Sequence, residues 1–458
     1  MTLLDSTQAD STQADGVRTD AARAEEHRPP PLRRNRDFLM LWSGAGLSLF
    51  GVRVAVSAYP LLMLWYSGSP AKAGLVGFAA LLPQLFLLLP AGALVDRCNR
   101  RRLMICCDAV GLLSMGSLAV VLALGTLSVA QVMAAAFLEG SAVILYRIAE
   151  RAAVRHVVHP DHLPAALSQN EARGQAAGLL GQPTGAALFS AFRWLPFGVA
   201  GLTHTLALVT LLLIRKDFQE ERVQDADAAP RSMGSDIKEG VVWVWRQRFM
   251  RAAILIVGAS NLAFQVVNLA LALIVLRGGY PSYMVGVIGI IEGVGGVGGA
   301  LTASWFMKRL PVQGILIGAL VVWAVLIAGI AFTGQPVLLG LLCAGTSWAG
   351  ALLNVAAGVH QVRVTPDEMQ GRATSVFGLA GSGMNSLGAL VGGLLLASCG
   401  ARWSVLGAAV VMAVLASMAL VMPAIRRLEP AEAVEAALSV EAEEEAAAAA
   451  ETADIDPL

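Results

Sequence analysis

Gly92-Ala93-Leu94-Val95-Asp96-Arg97-Cys98-Asn99-Arg100-Arg101-Arg102 is a densely charged turn set between two apolar runs, residues 73–95 and 103–124. Runs of about 20 apolar residues are long enough to cross a bilayer as helices. A charged turn this short between two of them reads as a hairpin at a membrane surface. Working outward in both directions gives twelve such spans: 38–65, 73–95, 103–124, 128–150, 172–192, 195–214, 250–276, 284–306, 312–332, 336–361, 373–397 and 402–425. Unbroken apolar runs of this length satisfy their own backbone groups only as helices. The expected fold is therefore an all-α integral membrane protein of twelve transmembrane helices.

Composition agrees. Of 458 residues 56% are hydrophobic and 14% charged, and the mean hydropathy is +0.65. Soluble domains carry about a quarter charged residues, so a cytosolic enzyme is excluded, as are disordered and nucleic-acid-binding chains. The formal net charge of zero hides an asymmetry. Ten acids and no Lys or Arg lie from Glu429 to the end, and residues 38–428 carry a net +11. Arg and Lys concentrate in alternate loops, as at Arg33, Arg34 and Arg36, at Arg97 and Arg100–Arg102, at Arg215 and Lys216, at Lys308 and Arg309, and at Arg426 and Arg427. The opposite loops hold only Lys72, Arg193, Arg277 and Arg402. The positive-inside rule then places both termini in the cytoplasm of a multi-pass plasma-membrane protein.

The organisation expected is a flexible cytoplasmic tail (1–37), a six-helix bundle (38–214), a central cytoplasmic loop (215–249), a second six-helix bundle (250–427) and an acidic disordered tail (428–458). No signal-peptide core precedes the first span. The halves repeat in sequence. Val158-His159-Pro160-Asp161-His162-Leu163 stands at the mouth of span 5. Val364-Thr365-Pro366-Asp367-Glu368-Met369 stands 206 residues later at the mouth of span 11. Duplicated halves are a signature of transporters that alternate access between two bundles. The repeat also speaks against a metal site at His156, His159 and His162, because the second copy keeps only the Pro-Asp turn. Cys98, Cys106, Cys107, Cys343 and Cys399 show no paired spacing and read as passive helix residues.

The opening turn closely resembles the signature loop of the major facilitator superfamily, Gly-x-Leu-Ala-Asp-Arg-x-Gly-Arg-Arg, with Asn99 in place of a Gly. Asn tolerates a left-handed turn, so the loop geometry is expected to survive. Asp96 ends a helix whose macrodipole disfavours an anion, so it needs a counter-field. The resemblance implies that Gly92, Asp96, Arg97, Arg100 and Arg101 act with span 11 as a conformational latch. It also implies two pseudo-symmetric bundles, with spans 1, 4, 7 and 10 lining a central cavity. In span 5, Gly178, Gly181, Pro183 and Gly185 resemble the small-residue motif of drug/proton antiporters, and the nearest branch is similar to the macrolide-efflux and enterobactin-exporter-like group. Small residues there let helices approach closely.

Ionisable residues inside spans are functional candidates by default. Arg53, Glu139, Arg147 and Glu292 are the proton-coupling candidates. By the resemblance, Arg53, Glu139 and Arg147 share one cavity wall, and Glu139 exchanges the proton under the influence of Arg53 or Arg147. The alternative is a static ion pair holding spans 1 and 4 together. Related drug transporters carry an acid near Arg53, which puts any shared cation preference in doubt. Substrate-binding candidates are Asn261, Gln265 and Asn268 on one face of span 7, with Asn354 and an aromatic wall at Trp348 in span 10. The function expected is proton-coupled efflux of small amphipathic molecules (an antibiotic, siderophore or other metabolite). The same fold as an importer or facilitator is the first alternative, and a membrane enzyme or sensor the second. The partners expected are the substrate, protons and lipid, with no nucleic acid and a monomeric chain. No Gly-x-x-x-x-Gly-Lys-Ser/Thr loop is present, and no cofactor is implied.

Overall fold

The computed structural model describes residues 32–214, 218, 242, 245, 248–364 and 367–422. The two tails, most of the central loop and Thr365-Pro366 of the second Pro-Asp turn lie outside those residues. Within them the chain is all helical. In order the long helices are α1 (Arg36–Ser67), α2 (Pro70–Arg97), α3 (Arg100–Leu124), α4 (Val129–Val157), α5 (Leu163–Ala191), α6 (Leu195–Leu213), α7 (Arg248–Arg277), α8 (Tyr283–Met307), α9 (Val312–Ile330), α10 (Pro336–Val364) and α11 (Asp367–Val421). Among the described residues, ten helices are long and apolar enough to cross a membrane. The more polar α5 is not one of the ten, and the apolar part of α11 (Gly378–Val421) counts as one.

Local chemistry sets the boundaries. The side chains of Asn35, Ser69, Asn99 and Ser128 each accept a backbone N–H in the first turn of the helix that follows. This satisfies donors that the helix itself cannot. Gly68 and Gly125 end α1 and α3 with φ of 62° and 72°, a conformation that favours glycine. Gly400, with φ 75°, breaks the 55-residue α11 between its two apolar runs.

The sequence-based expectation for Asn99 is corrected here. Its φ is −66°, it lies in extended backbone, and its side chain caps α3. The turn needs no left-handed residue, because helix capping does the work expected of positive φ.

The packing explains the apolar exterior. Leu113, Val421 and Leu301 keep 72%, 76% and 77% of their surface uncovered by protein, which is tolerable in lipid and costly in water. Helices α1–α6 pack on one another, as do α7–α11, and the two sets meet where α2 lies against α11 and α5 against α8. Both seams are built on glycine. A Cβ on Gly74 would lie 2.7 Å from the Cα of Gly393, and one on Gly286 would lie 3.0 Å from the Cα of Pro183. The Ser190 hydroxyl accepts the backbone N–H of Tyr283 across the α5–α8 seam at 3.2 Å.

Candidate functional site

A polar cluster is buried among α1, α3, α4 and α6. His204 of α6 places Nδ1 3.0 Å from Oδ1 of Asp108 on α3 and Nε2 2.9 Å from Oε1 of Glu139 on α4. The Ser48 hydroxyl of α1 donates to the same Asp108 oxygen at 2.8 Å. Asp108, Glu139 and His204 are 1%, 2% and 3% exposed. Oδ2 of Asp108 and Oε2 of Glu139 are buried without a hydrogen-bond partner. Gly111 makes room for the ring: a Cβ there would sit 2.7 Å from Cε1 and 2.8 Å from both ring nitrogens.

Each ring nitrogen faces a carboxylate oxygen, so the two bonds need two protons between them. With those two protons the triad carries a charge of −1, and a third proton makes it neutral. A net charge buried this deeply costs several kcal/mol unless it is paired or neutralised.

A second ion pair lies nearer the α1 N-terminus. Arg173 of α5 donates from Nη2 to Oε1 of Glu150 on α4 at 2.6 Å, with both side chains 9% exposed. Its Nη1 donates to the Trp42 carbonyl at 3.0 Å, and its guanidinium lies over the Trp42 ring. This pair ties α1, α4 and α5 together.

Of the proton-coupling candidates, only Glu139 joins the triad. Arg53 is half-buried, with its Cβ against Gly181, and its Nε has no partner. Arg147 is exposed. Among the described residues no ion pair joins either arginine to Glu139. Arg53 and Arg147 lie within electrostatic reach of each other, while Glu139 is held by His204 rather than by either arginine. Glu139 turns into the bundle, where His204 meets it, while Arg147, two turns on, is exposed. Glu292 of α8 is half-buried on its own helix, away from the triad.

The opening turn is tied within its own half. Arg100 Nη1 lies 2.6 Å from His156 Nε2 and donates to the Phe218 carbonyl at 3.1 Å. Arg101 donates to the carbonyls of Leu211 and Leu212, each at 3.1 Å. It thereby satisfies α6 carbonyls that the helix end leaves unpaired. Arg97 is exposed and Gly92 half-buried, while the side chains of Asp96 and of α11 before Gly378 lie outside the described residues.

In α5, Gly181 and Gly185 seat α1, against Arg53 in one case and Ser57 and Val54 in the other, and Pro183 seats α8. Gly178 has open space beside it, so close packing does not explain that glycine. His159 caps the turn after α4, its Nδ1 accepting the Asp161 N–H at 3.4 Å.

The polar stripe of α7 turns towards α11. Asn261 Nδ2 donates to the Gly381 carbonyl at 3.4 Å, and Gln265 lies against Gly388. Asn268 and Asn354 are exposed. Trp348 departs from the aromatic wall expected. Its indole N–H donates to Thr302 Oγ1 at 3.1 Å and its ring meets Phe306 edge-on at 5.2 Å. Both contacts are with α8, so Trp348 packs α10 on α8.

Asp108, His204, Ser48 and Arg173 were not among the residues singled out from sequence. For Asp108, His204 and Ser48 the signal is a polar residue inside an apolar span, whereas Arg173 lies in the polar stretch from Gln169 to Gln175.

The family model described as transmembrane secretion effector matches residues 29–452. The multidrug efflux pump Tap of Mycolicibacterium fortuitum is 25% identical over 410 residues, 86% of this chain and 96% of that protein. Among solved structures, the nucleoside transporter NupG superposes with a TM-score of 0.67 at 14% identity, covering 86% of this chain and all of that one. A D-xylose–proton symporter superposes with a TM-score of 0.57 at 17% identity, covering 83% and 96%. At such identities the two structures speak for the fold alone.

Proposed function

We propose, from the premise that the chain belongs to the transmembrane secretion effector family of major facilitator transporters and is not an enzyme, that it exports small amphipathic molecules in exchange for protons. The two segments of α11 on either side of Gly400, together with α5, complete a set of twelve spans. We take 38–214 and 250–427 as two six-helix halves that rock about a site near the membrane midplane. Both termini and the Arg100–Arg102 turn lie on the cytoplasmic side of the plasma membrane, and the chain works as a monomer.

The observation that carries the coupling is Glu139. It is a carboxylate at membrane depth, 2% exposed, with one oxygen unpartnered. Ionisable groups held in this way are expensive and mark proton pathways. Asn261, Gln265, Asn268 and Asn354 supply polar contacts to the substrate, and Arg53 sets the field of the cavity. The Asp96 turn latches one conformational state against α11. Export is favoured over import by the relative named as a multidrug efflux pump, which this chain matches over nearly its whole length.

The test is export of ethidium from pump-deficient cells expressing the full chain. Export should stop when the proton gradient is collapsed, and Glu139→Gln should lose gradient-driven export. Export that continues after collapse would refute the coupling.

A further inference from the structure

Glu139 does not stand alone. It is one end of a hydrogen-bonded line of three titratable groups contributed by three helices, and both ends of that line carry a buried, unused carboxylate oxygen. The line also has a direction. Ser48, which bonds the Asp108 end, and Tyr59, which lies within electrostatic reach of Glu139, are eleven residues apart on α1, about 16 Å along its axis. Asp108 is therefore nearer the end of the bundle that carries Arg100–Arg102, and Glu139 nearer the other end.

We propose that Asp108, His204 and Glu139 are a proton relay, taking up a proton at Glu139 and delivering it at Asp108 through the His204 ring. This rests on the proton-exchange reading above and adds two residues and a direction to it. In the transfer step Glu139 Oε1 gives its proton to Nε2 while Nδ1 gives its proton to Asp108 Oδ1. One O–H and one N–H bond break, one N–H and one O–H bond form, and a unit of negative charge passes from Asp108 to Glu139. The Ser48 hydroxyl stabilises ionised Asp108, so its bond favours the state that has already released the proton.

The surroundings suit such a unit. The titratable groups around it are Tyr59 from α1, Cys107 from α3 and Tyr146 from α4. Alpha-2, packed beside Glu139 at Gly140, presents Ala80 and Pro83. Among the described residues His204 is the one basic group within 4.0 Å of either carboxylate. No arginine locks the carboxylates in their charged form. With the Arg100–Arg102 end in the cytoplasm, the relay runs inward, the direction that proton-driven export requires.

The experiment is infrared difference spectroscopy of the purified full-length protein in lipid nanodiscs, titrated between about pH 5 and pH 8. It needs no substrate. Measured in a Glu292→Gln background, so that this second in-span acid adds no band of its own, the protein should show the C=O band of a protonated carboxyl that comes and goes with pH, and Glu139→Gln should abolish it. Asp108→Asn and His204→Gln should each move its midpoint by about tenfold in proton activity or more. Ser48→Ala, the mildest change, should move the midpoint less, with the unfolding temperature retained, and so separates the relay from a folding defect. Identical midpoints in the parent, Asp108→Asn and Ser48→Ala would leave Glu139 acting alone and overturn the relay. So would the absence of any titrating band in the parent.

The ethidium assay keeps the two readings distinct. Gradient-independent export by the parent refutes the coupling, whatever the spectra show. Gradient-driven export by the parent that both His204→Gln and Asp108→Asn retain refutes the relay and leaves the coupling standing.

Discussion

The two sets of helices both pack on glycine, and they differ in what is added to that packing. Helices α1–α6 are joined through buried charge: the Asp108–His204–Glu139 triad and the Glu150–Arg173 pair link α1, α3, α4, α5 and α6. Helices α7–α11 are joined through small residues and indoles. Gly295 and Gly299 of α8 lie against the α10 backbone at Ala344 and Trp348, Trp323 donates to the Thr346 carbonyl at 2.8 Å, and Phe264 meets Trp323 edge-on at 4.9 Å. The half-buried Glu292 and the buried His360 also lie there. Close packing of small residues stabilises helices in lipid without storing charge. Buried ion networks hold their geometry only while the charges balance. The first set is thus the one whose packing can respond to a proton, and the second is a scaffold against which that response is expressed.

The strongest way to break this contrast is to remove the basic member of the triad. His204→Ala leaves Glu139 without a partner and Asp108 with the Ser48 hydroxyl alone, and should cost about 3–5 kcal/mol in unfolding experiments. Replacing Asp108, His204 and Glu139 together by apolar residues of similar volume would turn the first set into a copy of the second. It should recover most of that stability while abolishing the titrating carboxyl band. A triple variant as unstable as His204→Ala would contradict the contrast.

A smaller effect is expected from crowding the scaffold. A Cβ at Gly299 would meet the Trp348 carbonyl, and Gly299→Ala should cost about 1–3 kcal/mol and leave the carboxyl band in place. Gly111→Ala meets only the His204 ring, yet it should shift the band. Trp348→Phe keeps the ring contact with Phe306 and loses the bond to Thr302, a change of about 1 kcal/mol, read from the unfolding midpoint. Glu292→Gln should change least, leaving ethidium export and its gradient dependence intact. Loss of gradient dependence in that variant would show that the second set also carries a coupling charge.

Much of this was legible in the sequence. The apolar runs gave the helices because lipid leaves the backbone no other solution, and Glu139 stood out as an acid in mid-span. Asp108 did not, because it sits in the first turns of the apolar run 103–124, close to Arg100–Arg102, where a lone acid can belong to the membrane surface. His204 counts as neutral in a formal charge sum and sits in an otherwise apolar helix. No periodicity links residues separated by 31 and 65 positions; only the packing of α3 against both α4 and α6 does. Trp348 stood out for the opposite reason. An indole in a glycine-rich helix signals close packing as readily as a ligand wall, and the partner that decides, Thr302, lies on another helix.

The near-contact of Gly74 with Gly393 has a mechanical consequence. Two backbones that touch with no side chain between them act as a fulcrum, and α2 runs 23 residues from there to Arg97, a lever arm of about 35 Å. A turn of roughly 10° at the fulcrum would swing the far end of α2 by roughly 6 Å, while the glycines themselves would scarcely move. For the proposed rocking of the halves, the chain would need at this contact only the absence of a methyl group.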